Sequence, residues 1–262
     1  MTGSATAIIV PFYNERARFG PELRARFAEL AAHPSVDVVT VDDGSTDDTL
    51  ELLNELAAAS QVGKVEVLAL SKNVGKGEAV RRGMLHALGR GRSVVGFADA
   101  DFSTPPGELL ALLGVLVERP GLDVVVGSRT LLVGRKIRRH AARHYLGRVF
   151  ATLAANILRT PFYDTQCGAK LFRRTPTFES ALAEPFVSRW AFDVELLGRL
   201  LIGNASHAGI AIEKMREVPL EEWIDAGGSK VTAAGMVRSL ADLAHIEIVL
   251  QRRRRVSATR RC

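Results

Sequence analysis

The first 127 residues alternate short apolar runs with amphipathic stretches, and no other feature restricts the fold as much. Thr6–Val10, Val36–Val41, Val65–Leu70, Ser93–Ala98 and Asp123–Gly127 read as strands. Between them, Pro21–Ala32, Thr46–Ala59, Gly77–Leu88 and Pro106–Val117 read as helices. In the first helix Leu23, Phe27 and Leu30 recur on one face. Strands alternating with helices of this length define an α/β fold with a single doubly wound, mainly parallel sheet. Runs such as Val124-Val125-Val126 suit a sheet covered on both faces. Ligands of such sheets bind beyond the carboxyl ends of the strands. The residues that follow each apolar run are therefore the ones to read for chemistry.

After Gly127 the alternation breaks. Tyr145, Val149, Leu153 and Ile157 recur every four residues, beside Leu146, Phe150, Ala154 and Leu158, and flanked by Arg143, Arg148 and Arg159. This predicts an amphipathic helix with basic edges. Ala191–Leu201 predicts another helix, Ala208–Val218 a strand or hairpin, and the last helix runs from about Val231 to Gln251. Met236, Leu240, Leu243 and Ala244 would form its apolar stripe. No repeat or low-complexity linker divides the chain. Residues 1–240 are expected to form one domain, with 241–262 the end of the last helix and a basic tail.

The longest apolar stretches, Leu109–Val117 and Val149–Leu158, fall short of the roughly 20 residues that span a bilayer. Met1–Ala5 does not read as a signal peptide. Cys167 and Cys262 make neither a disulfide framework nor a metal spacing, as in a reducing compartment. The expected location is cytoplasmic. The net charge is +6, concentrated in Arg252–Arg255, Arg260-Arg261 and the cluster from Arg135 to Arg148. Nucleic acid, anionic lipid and phosphorylated substrates all fit such charge. Nucleic-acid recognition calls for aromatics among the cations, and Val256–Thr259 supply none. It stays a remote alternative. An in-plane helix with basic edges can instead lie on a membrane, so Tyr145–Leu158, the last helix and Arg252–Arg255 are candidates for peripheral contact with the cytoplasmic membrane face. The bland alternative is that both stripes face the core or a second copy.

The familiar phosphate loops are missing. There is no GxxxxGK[ST], and Gly75, Gly77 and Gly83 miss the dinucleotide spacing. Three acidic segments stand at predicted strand ends instead: Pro11-Phe12-Tyr13-Asn14-Glu15, Asp42-Asp43-Gly44-Ser45-Thr46-Asp47 and Asp99-Ala100-Asp101. All would converge on one sheet edge. Asp99 and Asp101 are hard oxygen ligands suited to Mg²⁺ or Mn²⁺, which then also hold substrate phosphates. Taken alone, Asp42–Ser45 reads equally well as a turn capped by Ser45 or Thr46.

As a set, these segments resemble the signature of family 2 glycosyltransferases with the GT-A fold, in order and spacing from Ala7 to about Arg129. The second half narrows the resemblance. Val126–Arg129, Asp164–Arg173, Arg189–Glu195 and Gly228-Ser229-Lys230 resemble dolichyl- or polyprenyl-phosphate β-glucosyltransferases, and mannosyl relatives share part of the pattern. The resemblance implies a nucleotide-sugar site at Pro11, Tyr13, Glu15, Asp42, Asp43, Lys76, Asp99 and Ala100. It implies Mg²⁺ or Mn²⁺ on Asp99 and Asp101, with Asp101, Arg129, Asp193 and Lys230 serving the reaction. Arg129, Arg143, Asp164, Gln166 and Lys230 would meet the acceptor. Three departures stand out: the eukaryotic glucosyl enzymes usually carry a transmembrane anchor that is not seen here, Ala169 replaces a common aromatic, and Ser103 stands where mannosyl enzymes often place glutamine.

The expected activity is inverting, metal-dependent transfer of glucose from UDP-glucose to a polyprenyl phosphate. GDP-mannose as donor, or a soluble hydroxyl acceptor, is the alternative on the same fold. A lipid phosphate is already a nucleophilic anion at neutral pH, since its second pKa lies near 6. A hydroxyl would require a general base, for which Asp193 or Asp164 is the candidate. The sequence leaves the oligomeric state open.

Overall fold

The computed structural model describes residues 5–61, 63–138, 141–224 and 233–258. Five βα-type strands form as expected: β1 (Thr6–Phe12), β2 (Val36–Asp42), β3 (Val65–Ala69), β4 (Val94–Ala98) and β5 (Val124–Ser128). The helices between them are α1 (Pro21–Ala32), α2 (Thr49–Ala59), α3 (Lys76–Gly89) and α4 (Pro106–Glu118). α2 starts three residues later than the apolar spacing predicts. Asp47 accepts from both the amide and the hydroxyl of Thr49, and this local turn holds residues 46–48 out of the helix.

The sheet has seven strands in the order β3-β2-β1-β4-β7-β5-β8. Here β6 (Lys136–Arg138) lies outside it, β7 is Ala169–Arg173 and β8 is Met215–Pro219. β7 runs antiparallel to both neighbours, whereas β1, β2, β3 and β4 pair in parallel, as do β5 and β8. The mainly parallel expectation holds, and the antiparallel insertion is an addition to it. β6 pairs with β9 (Glu222–Ile224) as a small separate ribbon. Ala208–Val218 is not a hairpin: a 3-10 turn at Ile212–Lys214 leads into the single strand β8.

Alternate residues of each strand point to opposite layers. Ile9, Val41, Phe97, Val126 and Phe172 pack beneath α3, α5 (Ala141–Leu158), α6 (Pro176–Ala181), α7 (Phe192–Ile202) and α8 (Ala233–Ala258). Ile8, Val10, Val38 and Val125 pack against α1, α2 and α4 through Phe27, Leu30, Leu53 and Leu112.

The two late stripes divide. On α5, Ala154 and Leu158 are buried with Phe150 and Ile157 packed against them, while Val149 and Leu153 are exposed. On α8 the inward face is Leu243, Ile246 and Leu250, and Leu240 and Ala244 lie outside. The phase is set by α7, where Gly198 leaves the space that Leu250 fills. The arginine run lies on α8 and is partly structural. Arg253 donates to Gly203 O, and Arg254 to Ile157 O and Glu247.

Glu195 and Arg199, one turn apart on α7, form a buried ion pair at 2.5 Å. Arg199 also donates to the carbonyls of Ala181, Glu184 and Pro185, and Glu195 accepts from Val187 N. Removing one partner strands a buried charge, which costs about 3–5 kcal/mol. Glu195→Ala is expected to lower unfolding stability by that amount in a denaturant titration. A loss below about 1 kcal/mol would show the pair to be dispensable.

Candidate active site

The carboxyl ends of β1, β2, β4 and β5 share one edge, so the three acidic segments meet there. Asp43 N donates to Phe12 O, Asn14 N to Ser45 Oγ and Glu15 N to Thr49 Oγ1, which joins the first two segments. Pro11 and Tyr13 lie at this junction, Tyr13 exposed. The Glu15 carboxylate pairs with Arg18, and Asp42 accepts from Ser45 N. Asp43 accepts from Asn73 Nδ2, Val74 N and Gly75 N. Burial raises its pKa and the two amides oppose the rise. Its work is to hold the 73–75 loop, which delivers Lys76 to the edge.

After β4 the chain turns sharply. Phe102 N donates to Asp99 O, and Phe102 has φ +44°. A bulky residue in that region costs on the order of 1–2 kcal/mol. The Phe102 ring is buried against Phe27, and its carbonyl accepts from Arg26 Nη1 at 2.7 Å, which holds the turn. Ala100 is buried between the two aspartates. Asp101 Oδ1 accepts from Ser103 N. Burial, then the Asp99 charge, raise the pKa of Asp101. Burial also works against an ionised Asp99, but Lys76, Lys170 and Arg129 together hold its pKa below the usual carboxylate range.

Lys76 Nζ meets Asp99 Oδ1 at 2.6 Å. Burial disfavours this ammonium, yet Asp99, Asp193 and Asp101 together raise its pKa. Its other neighbour is the exposed Trp190, whose ring centre lies 5.2 Å away. Trp190 belongs to a strap laid over the start of α3: Gly77 N donates to Arg189 O, and Arg189 reaches Asn73.

Because β7 is antiparallel, it begins at this edge and brings residues 164–168 with it. Asp164 accepts from Arg129 N, Nε (2.7 Å) and Nη2 (2.7 Å), and Trp223 lies 5.3 Å from the guanidinium. Asp164 is thereby committed to orienting Arg129. Gln166 Nε2 and Lys170 Nζ both reach Asp193, Lys170 at 2.6 Å. Burial raises the pKa of Asp193, with Lys170 opposing. The Cys167 thiol, buried beside Asp164, is pushed up to about 11 and is no nucleophile at neutral pH.

Asp99, Asp101, Lys76, Arg129, Asp164, Gln166 and Asp193 thus come together. Arg143 lies in the first turn of α5 with its side chain outside the described residues, and Lys230 lies outside them altogether. Sequence reasoning gave no individual role to Lys170, Gly168, Asn73 or Trp190. Lys170 carried a signal: a lone lysine inside the apolar strand Ala169–Phe172.

The acidic pair fits a divalent ion held jointly with phosphates. Asp99 Oδ1 is buried and lacks an aligned hydrogen bond, although Lys76 is close. Among the described residues no group of three His, Cys, Asp or Glu could hold an ion by itself. The remaining ligands would have to come from substrate, as is usual for Mg²⁺.

Residues 7–178 match the model of glycosyl transferase family 2. The chain belongs to that family. This glycosyltransferase is 34% identical over 253 residues to a dolichyl-phosphate beta-glucosyltransferase of Trichomonas vaginalis, covering 93% of the chain and 71% of the relative. It is 38% identical to the Drosophila melanogaster dolichyl-phosphate beta-glucosyltransferase, covering 86% of the chain and 69% of the relative. The human enzyme of that name is 34% identical, with 84% and 72% covered.

Among solved structures, glucosyl-3-phosphoglycerate synthase from Mycobacterium tuberculosis, in complex with Mn²⁺, UDP and glucosyl-3-phosphoglycerate, superposes with TM-score 0.65. Identity is 20%, with 93% of this chain and 80% of that one covered. Mannosyl-3-phosphoglycerate synthase from Rubrobacter xylanophilus gives TM-score 0.68 at 19% identity, with 95% and 75% covered. These likenesses show the GT-A fold. The glycosyltransferase therefore carries its acidic pair on a GT-A sheet edge.

Gly168 abuts the Asp99 carboxylate so closely that a Cβ there would collide with it. Displacing a reacting group by about 1 Å can cost around 100-fold in rate. Gly168→Ala is expected to lose transferase activity on that scale while far-UV circular dichroism stays that of the wild type. Near wild-type activity would show that Asp99 tolerates displacement.

Proposed function

We propose that this glycosyltransferase transfers glucose from UDP-glucose to the phosphate of a polyprenyl lipid, with inversion and with Mg²⁺ or Mn²⁺. The observation that carries the reading is the Asp99–Asp101 pair set among Lys76, Arg129 and Lys170, in a chain 34–38% identical to dolichyl-phosphate beta-glucosyltransferases.

In this reading the acceptor phosphate oxygen attacks the anomeric carbon from the face opposite the diphosphate. The carbon–oxygen bond to the diphosphate breaks, and UDP leaves with the bonding pair. A divalent ion held by Asp99 and Asp101 would neutralise charge on that leaving group. Lys76, at the first position of α3, is placed to add a cation on the same diphosphate. Arg129 is held by Asp164 through Nε and Nη2, which leaves Nη1 for the acceptor phosphate. Glu15, Asp42 and Tyr13 border the donor's nucleoside. No protein base is needed, because the acceptor is ionised already. This agrees with Asp193 being engaged by Lys170 and Asp164 by Arg129.

A lipid acceptor places the sheet edge at a membrane. Support comes from the loop after β5, where Leu131, Leu132 and Val133 are consecutive and exposed. Val149 and Leu153 on α5 are exposed as well. No described helix is long and apolar enough to cross a membrane. Contact of these exposed apolar residues with the cytoplasmic membrane face is part of this proposal.

The test is incubation with labelled UDP-glucose, GDP-mannose and dTDP-glucose against polyprenyl phosphate and soluble acceptors. Glucosyl lipid from UDP-glucose is expected, lost with EDTA and restored by Mn²⁺ or Mg²⁺. Asp101→Asn should lose at least about 100-fold in turnover, and Arg129→Lys a similar factor, because lysine cannot reproduce the two-pronged pairing with Asp164. The rate should rise with pH through about 6, as the acceptor becomes a dianion, and level off above. Transfer to a soluble hydroxyl in preference to the lipid would overturn the acceptor assignment.

A further inference from the structure

We infer that Lys76 is a resident counter-ion of Asp99, which the donor's diphosphate must draw away before a divalent ion can take both carboxylates. The inference rests on the metal–diphosphate reading above and adds an order to it. Asp99 Oδ1 is a buried oxygen of the acidic pair, and it is the oxygen that the Lys76 ammonium meets at 2.6 Å. An ammonium at that distance stands where a divalent ion would stand. Both cannot neutralise one oxygen, because two positive charges would then lie within a few ångströms of each other.

The local architecture allows the exchange. Lys76 is at the first position of α3, so its backbone is fixed by the helix, by Gly75 and by the Asp43-held loop. Its side chain is a flexible four-carbon stem, partly exposed. The Trp190 ring lies 5.2 Å from the ammonium and offers a second resting place on the open side of the site. A diphosphate arriving there presents more negative charge than the single Asp99 carboxylate. The ammonium then has a better partner, and Asp99 is released to the ion that arrives with the diphosphate.

Metal and nucleotide binding should therefore be coupled. By linkage, UDP raises metal affinity by the same factor as the metal raises UDP affinity. Removing the ammonium should weaken this coupling by making the acidic pair available to metal alone.

The test is titration of Mn²⁺ into the full chain, with free Mn²⁺ read by electron paramagnetic resonance, in the absence and presence of UDP. Wild type and Lys76→Arg should bind Mn²⁺ weakly alone and about tenfold or more tighter with UDP. Lys76→Met should bind Mn²⁺ alone on the order of tenfold tighter than wild type, with a smaller further gain from UDP than wild type shows, because only direct ligation by the diphosphate then remains. Its melting temperature should fall in EDTA and recover with Mn²⁺. Tighter binding is not an outcome that misfolding can produce. Lys76→Met binding Mn²⁺ alone no tighter than wild type, while UDP still binds, overturns this inference and leaves the proposed function standing. Wild-type protein that binds neither Mn²⁺ nor UDP overturns both.

Discussion

The ammonium of Lys170 has no exposed surface, and the candidate active-site edge is assembled around it. Its Nζ donates at 2.6 Å to Asp193 on α7 and at 2.6 Å to Cys167 O ahead of β7, and it lies 5.2 Å from the centre of the Phe97 ring on β4. Three elements distant in sequence thus converge on one charge. An ion pair buried this deeply gains little net stability, because desolvation offsets most of the attraction. Its value is positional. With Lys170 in place, the 164–168 segment must pass beside Asp99, and α7 must begin where Asp193 faces inward. Lys170 also helps to keep Asp99 ionised.

That position is available only because β7 runs against its neighbours. A parallel strand between β4 and β5 would deliver its amino end to the far side of the sheet. The antiparallel strand instead places Ala169 beside Ala98, and Gly168 against the Asp99 carboxylate. The parallel half of the sheet supplies acids at strand ends, while the inserted strand and α7 bring Lys170, Gln166 and Asp193. Asp164 in turn fixes Arg129 at the end of β5. The site is the meeting of the two halves.

This division explains what could be read from the chain alone. The βα units were legible because each is local: an apolar run, a turn and a helix with one apolar face. The acids at the ends of β1, β2 and β4 followed, since parallel order sends them all to one edge. β7 was not legible as a strand, because five residues carry too little periodicity and its pairing depends on partners more than 40 residues away. Likewise the stripe on α8 held at Leu243 and failed at Leu240 and Ala244, with the Met236 side chain outside the described residues, because Gly198 on another helix decides which face turns inward. The segment Asp164–Arg173 was visible by resemblance only, and the committed roles of Asp43 and Asp164 within their own hydrogen-bond networks needed coordinates.

The C-terminal helix, which the sequence presents as an appendage, is tied to the same edge. Asp242 on α8 accepts from Ser188 Oγ at 2.6 Å, and that oxygen accepts in turn from the amides of Trp190 and Ala191. The strap that carries Arg189 over Asn73 and Trp190 over Lys76 is therefore tied from behind by α8. Leu250 fills the space at Gly198, and Arg253 and Arg254 fasten the far end of the helix to Gly203 and Ile157. A displacement of α8 would reach Lys76 through one side-chain oxygen and two backbone amides. The last helix belongs to the support of this sheet edge as much as the strand that carries the aspartates.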